Sequence, residues 1–509
     1  MSIYKRFAKD IGIVAVSEII VKFRPIIFLP IITAFLSVSD YGIYTTLLVT
    51  IAFLTPFSSL GARFGIIRLL SAESDKKKVS EGIFSVSFFT LALSLGLSAV
   101  MFFLAGFLAD TVFGDPNSAL IIQIGSLLVP LQALLDNSTA FFLMKQRMFI
   151  CSIFNTLEAF LPIAFGTLVL LLGGGLAEFV LASVISTTAV VIASYVVIAR
   201  WTGPSLPRLN RVWPYLKFGS PLVAGKFSST LLNIGDRYVI GLLMGATYVG
   251  IYSVAYTIGS TVMMFLGPIS TALLAPISKS YDGQRHDEVQ RFMHHSIRYF
   301  LMFSIPAAVG LSILSPSLTQ SLANSNFLEG AFGITALVAF ASIFYGLFLL
   351  DSTIFYLIKH TYSTSALLIV ASIANIAMNV LLIPPMGIFG SALATLISFI
   401  GLFFASYFFS RKRIKISFDL VFILKSTLAA LMMGVLVYYL NPIGWVRILI
   451  TSAIGAVVYF GLLFLMKGLT ESEIMLFFTF LRKKLLKRGQ TQGAIISEHG
   501  DKTKEQSNN

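Results

Sequence analysis

Long apolar segments recur along the whole chain, and short polar segments separate them. Each apolar segment has about 20 residues or more, enough to cross a bilayer as a helix that rises about 1.5 Å per residue. The pattern therefore predicts an all-α polytopic membrane protein with about fourteen transmembrane helices. The predicted spans are residues 11–36, 42–62, 82–108, 118–143, 149–172, 177–199, 217–244, 248–275, 292–314, 330–357, 362–383, 388–409, 418–440 and 445–466.

The polar segments alternate in charge. One set carries Lys and Arg, for example at residues 63–78, 200–211 and 411–415. The other set contains neither residue and lies at 37–40, 110–117, 173–175, 245–247, 315–326, 384–387 and 441–444. Because basic loops stay in the cytoplasm, the alternation predicts a multi-pass cell-membrane protein with both termini cytoplasmic. It also explains the net charge of +14 without a nucleic-acid partner.

A short sequence repeat relates the two halves of the chain. Residues 42–44 and 250–252 both read Gly-Ile-Tyr, at an offset of 208 residues. This offset corresponds to six predicted spans, and an even number of spans keeps both copies in the same orientation. The repeat predicts two six-helix bundles related by a parallel pseudo-two-fold axis along the membrane normal.

The repeat also divides the chain into domains. An N-terminal lobe at 1–199 and a C-terminal lobe at 217–409 are joined by a cytoplasmic linker at 200–216. Two additional transmembrane helices are expected at 410–466. A tail at 467–509, basic and then disordered, is expected in the cytoplasm.

Polar residues mark one face of the span at 217–244. Lys226, Asn233 and Arg237 recur at helical spacing, and Asp236 lies about 100° from Arg237. Each charge would cost roughly 2.5–3.5 kcal/mol at mid-bilayer, so the face should meet protein or a water-filled cavity. Alternatively, Asp236 and Arg237 lie near a membrane surface and bind lipid headgroups or each other.

The first span carries further charges. Glu18 and Lys22 have the spacing of an intrahelical ion pair. Arg24 lies on a different face, and Pro25 after it is expected to bias Arg24 away from helical geometry. An arginine at such depth is a candidate ligand for an anion, since its guanidinium binds phosphate through two parallel hydrogen bonds.

Composition and motifs exclude several other functions. The chain is 56% hydrophobic and only 12% charged, whereas soluble domains carry about 25% charged residues. The single cysteine, Cys151, allows no internal disulfide, and the five histidines form no metal-ligand pattern. The predicted loops are too short for a nucleotide or metal site, so neither an enzyme nor a cofactor is expected.

Five segments resemble polysaccharide repeat-unit flippases, which belong to the multidrug/oligosaccharidyl-lipid/polysaccharide exporter superfamily. They lie at residues 39–48, 60–69, 235–256, 274–283 and 379–398. The resemblance implies a V-shaped fold of two six-helix bundles that works by alternating access. The implied substrate is a polyprenyl-pyrophosphate-linked oligosaccharide, moved from the cytoplasmic to the outer leaflet for cell-surface polysaccharide biosynthesis.

The resemblance and the charges together predict a substrate site. Related peptidoglycan-precursor flippases carry arginines in the first helix, and Arg24 stands in the comparable helix here. We expect Arg24 and Lys226 to line a central cavity, with Arg237 as a weaker member and Asn233 and Lys22 nearby. The alternative within this fold is a multidrug/cation antiporter, whose cavity should be rich in acidic residues.

Three acidic residues are candidates for coupling transport to an ion. Glu158 lies deep in the fifth span, Asp236 lies in the seventh, and Asp351 lies near the cytoplasmic end of the tenth. The coupling ion would be H⁺ or Na⁺, membrane lipid is a further expected partner, and a monomer is expected.

Overall fold

The structure, a computed structural model, is built of helices. It describes residues 17, 20, 21, 23, 24, 26–414 and 416–469, and no strand occurs among them. Described residues from 17 to 24 are helical and lead into the first continuous helix. The helices are α1 Ile26–Phe35, α2 Val38–Ser59, α3 Ala62–Leu70, α4 Lys76–Phe103, α5 Ala105–Leu108, α6 Ala119–Ser126, α7 Leu128–Met144, α8 Met148–Leu171, α9 Leu176–Thr202, α10 Trp213–Ile234, α11 Asp236–Met244, α12 Ala246–Ser260, α13 Leu266–Asp282, α14 His286–Ala323, α15 Ala331–Leu357, α16 Thr361–Met386, α17 Ile388–Ser410, α18 Leu420–Leu440 and α19 Trp445–Leu465.

Twelve helical segments of the described chain are long and apolar enough to cross a membrane. The described residues of the two other predicted spans are almost all helical. The span at 11–36 is described only in part, and the span at 217–244 is divided at Gly235 into α10 and α11. The predicted all-α polytopic fold is therefore confirmed.

Some predicted boundaries were wrong. The segment at 315–326 was expected to be a loop, but α14 continues to Ala323 with Pro306 and Pro316 inside it. The Ser315 side chain is buried there and donates to the Ala331 carbonyl at 2.7 Å. Helix continues because it satisfies backbone polar groups internally, and membrane helices tolerate proline where neighbouring groups compensate for the lost hydrogen bond.

Helices α2 and α12 cross at the end of the molecule that the charge pattern assigns to the outside, which we call the predicted outer end. A Cβ on Gly42 would lie 1.8 Å from the Ala246 carbonyl oxygen, and one on Gly250 would lie 2.3 Å from the Val38 carbonyl oxygen. Positions 42 and 38 correspond to 250 and 246 at the 208-residue offset. A two-fold axis produces such reciprocal contacts, so the parallel repeat is confirmed.

The pseudo-two-fold axis passes close to Thr45 and its repeat equivalent Ser253, whose hydroxyl oxygens lie 3.5 Å apart. We expect cysteines at both positions, in a Cys151→Ala background, to form a disulfide rapidly with a mild oxidant, because the two backbones are already in contact. Non-reducing gel mobility after site-specific cleavage measures the bond. Cysteines at Thr45 and Ser260 are the control and should not react; equal reaction of both pairs would contradict the register.

The two lobes also meet at the opposite end, which we call the predicted cytoplasmic end. A Cβ on Gly61 would lie 2.3 Å from the Gly219 carbonyl oxygen, so the backbone just before α3 touches the backbone of α10. The segment before α10 is held to the N-terminal lobe by Arg211, which pairs with the buried Glu81 at 2.8 Å. Contacts at both ends thus border the region between the lobes.

The last two helices lie outside the repeat. Both α18 and α19 pack against α14. The Tyr459 hydroxyl donates to the Met302 carbonyl at 3.0 Å and is also hydrogen-bonded to Ser426. These contacts attach α18 and α19 to the C-terminal lobe, and the two helices lie away from the region between the lobes.

Candidate functional site

A cavity of about 880 Å³ lies between the two lobes. In the N-terminal lobe its walls come from the helical residues before α1 and from α2, α3, α7 and α8. In the C-terminal lobe they come from α10. Three cationic and two acidic side chains line it, and they are Arg24, Arg63, Lys226, Asp136 and Glu158. The cavity occupies the half of the molecule nearer the predicted cytoplasmic end, because the α2–α12 crossing closes the other half.

Arg24 lies in the cavity wall, as predicted, but its backbone is helical. The expected departure from helical geometry before Pro25 was therefore wrong, while Pro25 itself lies outside the described residues. The Arg24 guanidinium donates from Nη1 to the Ala159 carbonyl of α8 at 3.4 Å. Within the described chain it forms no ion pair, so its charge is available to a ligand in the cavity.

Lys226 reaches the same cavity from the opposite lobe. Its neighbour Gly225 faces α16, where an added Cβ would lie 2.6 Å from the Ser365 hydroxyl. This close approach turns the adjacent face of α10, with Val223, Lys226 and Thr230, into the cavity. Lys226 is exposed there and pairs with no acid of the described residues.

An ion pair forms a second part of the wall. Arg63 donates from Nη1 to Asp136 at 3.0 Å and to the Thr139 hydroxyl at 3.3 Å. Both charged side chains are about one-third exposed. Asp136 thus compensates Arg63 and leaves Arg24 and Lys226 as the two cavity cations without an acidic partner in the described chain.

Glu158 of α8 is the other cavity acid. Its carboxylate accepts a hydrogen bond from the Gln132 side-chain amide of α7. Gln132 precedes Asp136 by four residues, so both face the cavity from one side of α7. Glu158 has no cationic partner among the described residues.

Arg237 and Asp236 do not line this cavity. Arg237 is 6% exposed and donates to Asp236 at 2.7 Å, and its guanidinium carbon lies 4.1 Å from the Tyr256 ring centroid. Asp236 is 1% exposed and also accepts from the Tyr252 hydroxyl at 2.5 Å. The expectation that Arg237 joins Arg24 and Lys226 is not met, because the polar face of α10 leaves the cavity after Thr230, before the helix break at Gly235.

The remaining predicted site residues lie elsewhere. Asn233 donates to the Tyr345 hydroxyl at 3.0 Å and does not line the cavity. Asp351 is 1% exposed and accepts hydrogen bonds from Ser406 and Ser410. Lys22 lies outside the described residues.

Sequence reasoning missed Gln132 and Arg63 as cavity residues. Gln132 is a polar residue inside an apolar span, one turn before Asp136, and that spacing was a usable signal. Arg63 was counted among the loop charges because it follows the second span.

No group of three or more His, Cys, Asp or Glu that could hold a metal ion occurs in the described part of the chain.

Two family models match the chain. The family described as "Polysaccharide biosynthesis protein" matches residues 7–281, which is more than half of the sequence. The family "Lipid II flippase MurJ" matches residues 225–455. Each lobe is therefore covered in large part by a match.

Three curated relatives are similar to parts of the chain. The probable low-salt glycan biosynthesis flippase Agl15 of Haloferax volcanii is 20% identical, covering 38% of this chain and 41% of that protein. The succinoglycan biosynthesis transport protein ExoT of Rhizobium meliloti is 23% identical, covering 52% of this chain and 51% of that protein. The probable lipid II flippase MurJ of Thermotoga maritima is 31% identical, covering 34% of this chain and 36% of that protein. The matched segments thus span about a third to a half of these relatives.

Solved structures share the fold over most of the chain. The lipid II flippase MurJ in an inward closed conformation aligns with a TM-score of 0.75 at 17% identity, covering 88% of this chain and 97% of that one. An inward-facing multidrug resistance MATE family transporter aligns with a TM-score of 0.62 at 15% identity, covering 77% and 94%. At these identities the likeness establishes the fold alone.

Proposed function

We propose that this chain, a member of the polysaccharide biosynthesis protein family, is a flippase. Its substrate is a polyprenyl-pyrophosphate-linked oligosaccharide, which it moves from the cytoplasmic to the outer leaflet. One observation carries the proposal. A cavity between the lobes brings together Arg24 and Lys226, from the first span of each repeat, and neither has an acidic partner in the described chain.

The charge of the cavity fits an anionic substrate better than a cationic one. Arg63 and Asp136 compensate each other, so Arg24 and Lys226 oppose Glu158 alone. A pyrophosphate group supplies the missing negative charge, and attraction across the cavity is stronger than in bulk water because the effective dielectric constant is lower. A guanidinium binds phosphate oxygens in pairs, which makes Arg24 the principal ligand and Lys226 a point charge beside it.

The contacts at the two ends support alternating access. The division into lobes at 1–199 and 217–409, with a linker at 200–216, is part of this proposal. Separation at Gly61 and Gly219 would open the cavity towards the cytoplasm, and separation at Gly42 and Gly250 would open it outwards. The polyprenyl chain would stay in the bilayer at the gap between lobes, and the step requires no chemistry on the substrate.

Reconstitution of the full chain into liposomes tests the function. The probe is a polyprenyl pyrophosphate carrying a fluorescent N-acetylglucosamine glycan, and bleaching by external dithionite reports the fraction in the outer leaflet. We expect bleaching to exceed the half reached in protein-free vesicles. Efflux of tetraphenylphosphonium without movement of the glycan lipid would overturn the proposal and favour the multidrug/cation antiporter.

Of the three candidates for ion coupling, Glu158 is the one we propose. It lines the cavity beside the proposed substrate ligand, whereas Asp236 and Asp351 are engaged by buried partners. Carboxylates inside a membrane protein commonly mark proton or cation pathways. The coupling ion would be H⁺ or Na⁺.

The proposed direction of transport requires a defined topology. We expect both termini in the cytoplasm of a cell membrane, with basic segments inside. Reporter fusions at Gly174 and Asn324 should then report an outside location, and fusions at Lys77 and Lys412 an inside one. A cytoplasmic signal at Gly174 would contradict this arrangement.

A further inference from the structure

We propose that Gln132 is a positioning residue that holds Glu158 away from Arg24 and thereby keeps Arg24 available for an anionic ligand. The inference rests on the proposed function, in which Arg24 binds the substrate pyrophosphate. It assigns to Gln132 a role in binding that requires no contact between Gln132 and the substrate.

The first argument is the proximity of Arg24 and Glu158. The Arg24 guanidinium donates to the Ala159 carbonyl of α8, and Ala159 is the residue directly after Glu158. All three line the same cavity. Two opposite charges in one cavity attract each other, and a charge-assisted hydrogen bond between them would be about twice as strong as a neutral one. Nevertheless, Arg24 and Glu158 form no ion pair in the structure.

The second argument is what Glu158 contacts instead. Its carboxylate accepts a hydrogen bond from the Gln132 amide nitrogen of α7. The amide is neutral, so it fixes the direction of the carboxylate without supplying a positive charge. One turn along α7, Asp136 is engaged by Arg63 at 3.0 Å. Both carboxylates of the cavity therefore have partners other than Arg24.

Loss of the Gln132 amide should turn Glu158 towards Arg24. A partly buried carboxylate without a hydrogen-bond donor is unfavourable, and Arg24 is the cavity cation anchored beside it. A ligand could then bind only to the minor population in which Arg24 is free. If the pair formed in nine molecules of ten, the apparent affinity would fall about tenfold.

The test uses purified full-length protein in detergent and farnesyl pyrophosphate as the probe, with affinity measured by isothermal titration calorimetry. Gln132→Met removes the donor at similar volume, and Gln132→Ala is a second variant in case methionine packs poorly. The double variant Gln132→Met/Glu158→Gln removes the competing charge as well. Gln123→Ala, in α6 of the same predicted span, is the matched control and does not line the cavity.

We expect Gln132→Met to weaken binding about tenfold and the double variant to restore most of the lost affinity. Unchanged binding by Gln132→Met would overturn the inference. Weakened binding that the double variant fails to restore would also overturn it, because Gln132 would then act by direct contact or through the fold. Arg24→Ala separates the two proposals. If Arg24→Ala leaves binding unchanged, the proposed pyrophosphate site fails. If Arg24→Ala weakens binding and Gln132→Met does not, the pyrophosphate site stands and the proposed role of Gln132 fails.

Discussion

Replacing both Arg24 and Lys226 by alanine is expected to abolish movement of the glycan lipid in reconstituted vesicles. Each side chain supplies a charge-assisted interaction worth about 1.5–3 kcal/mol, so the double change should lower the rate about 100-fold or more. Glu158 would then be the main uncompensated charge of the cavity, since Arg63 and Asp136 pair with each other. An anionic headgroup would be repelled where it was previously held.

Single and conservative substitutions separate the two roles. Arg24→Lys should recover only part of the transport, because an ammonium cannot form the paired hydrogen bonds of a guanidinium. Lys226→Arg should be tolerated better than Lys226→Ala. Arg200→Ala and Lys217→Ala are matched controls, since both residues are exposed and lie outside the cavity wall. Full transport by the double alanine variant would show that these charges serve structure alone.

Arg237→Ala is expected to have a large effect on stability. The change leaves Asp236 buried at 1% exposure with the Tyr252 hydroxyl but without its cation. Removing one partner of a buried ion pair typically costs about 3–5 kcal/mol. The contact of the guanidinium with the Tyr256 ring is lost as well. We expect a marked fall in the thermal midpoint of the purified protein, measured by fluorescence in detergent.

The double variant Asp236→Asn/Arg237→Met provides the control for this result. It removes both charges while retaining much of the side-chain volume, and it should be more stable than Arg237→Ala alone. An Arg237→Ala protein with the thermal midpoint of the unchanged chain would contradict a structural role. The residue would then have to be reconsidered as a substrate ligand.

The helical architecture could be predicted from the amino-acid sequence. Apolar segments of bilayer length have one stable backbone conformation in lipid, because each amide must be hydrogen-bonded within its own helix. The repeat at residues 42–44 and 250–252 also sufficed to predict the parallel relation of the halves, since an even number of spans preserves orientation. Arg24 and Lys226 were identifiable because an intramembrane charge is costly unless it faces the interior.

Which charges remain available to a ligand could not be predicted from the sequence, because it depends on contacts between helices. Arg237 and Lys226 look equivalent along one helix, yet Asp236 and Tyr256 engage the first and no acid of the described residues engages the second. Likewise, Glu158 is held by Gln132, a residue of another helix. Ion pairing depends on distances of a few ångströms between side chains. These distances follow from the packing between helices and from the helix break at Gly235. Hydrophobic periodicity along the sequence encodes neither.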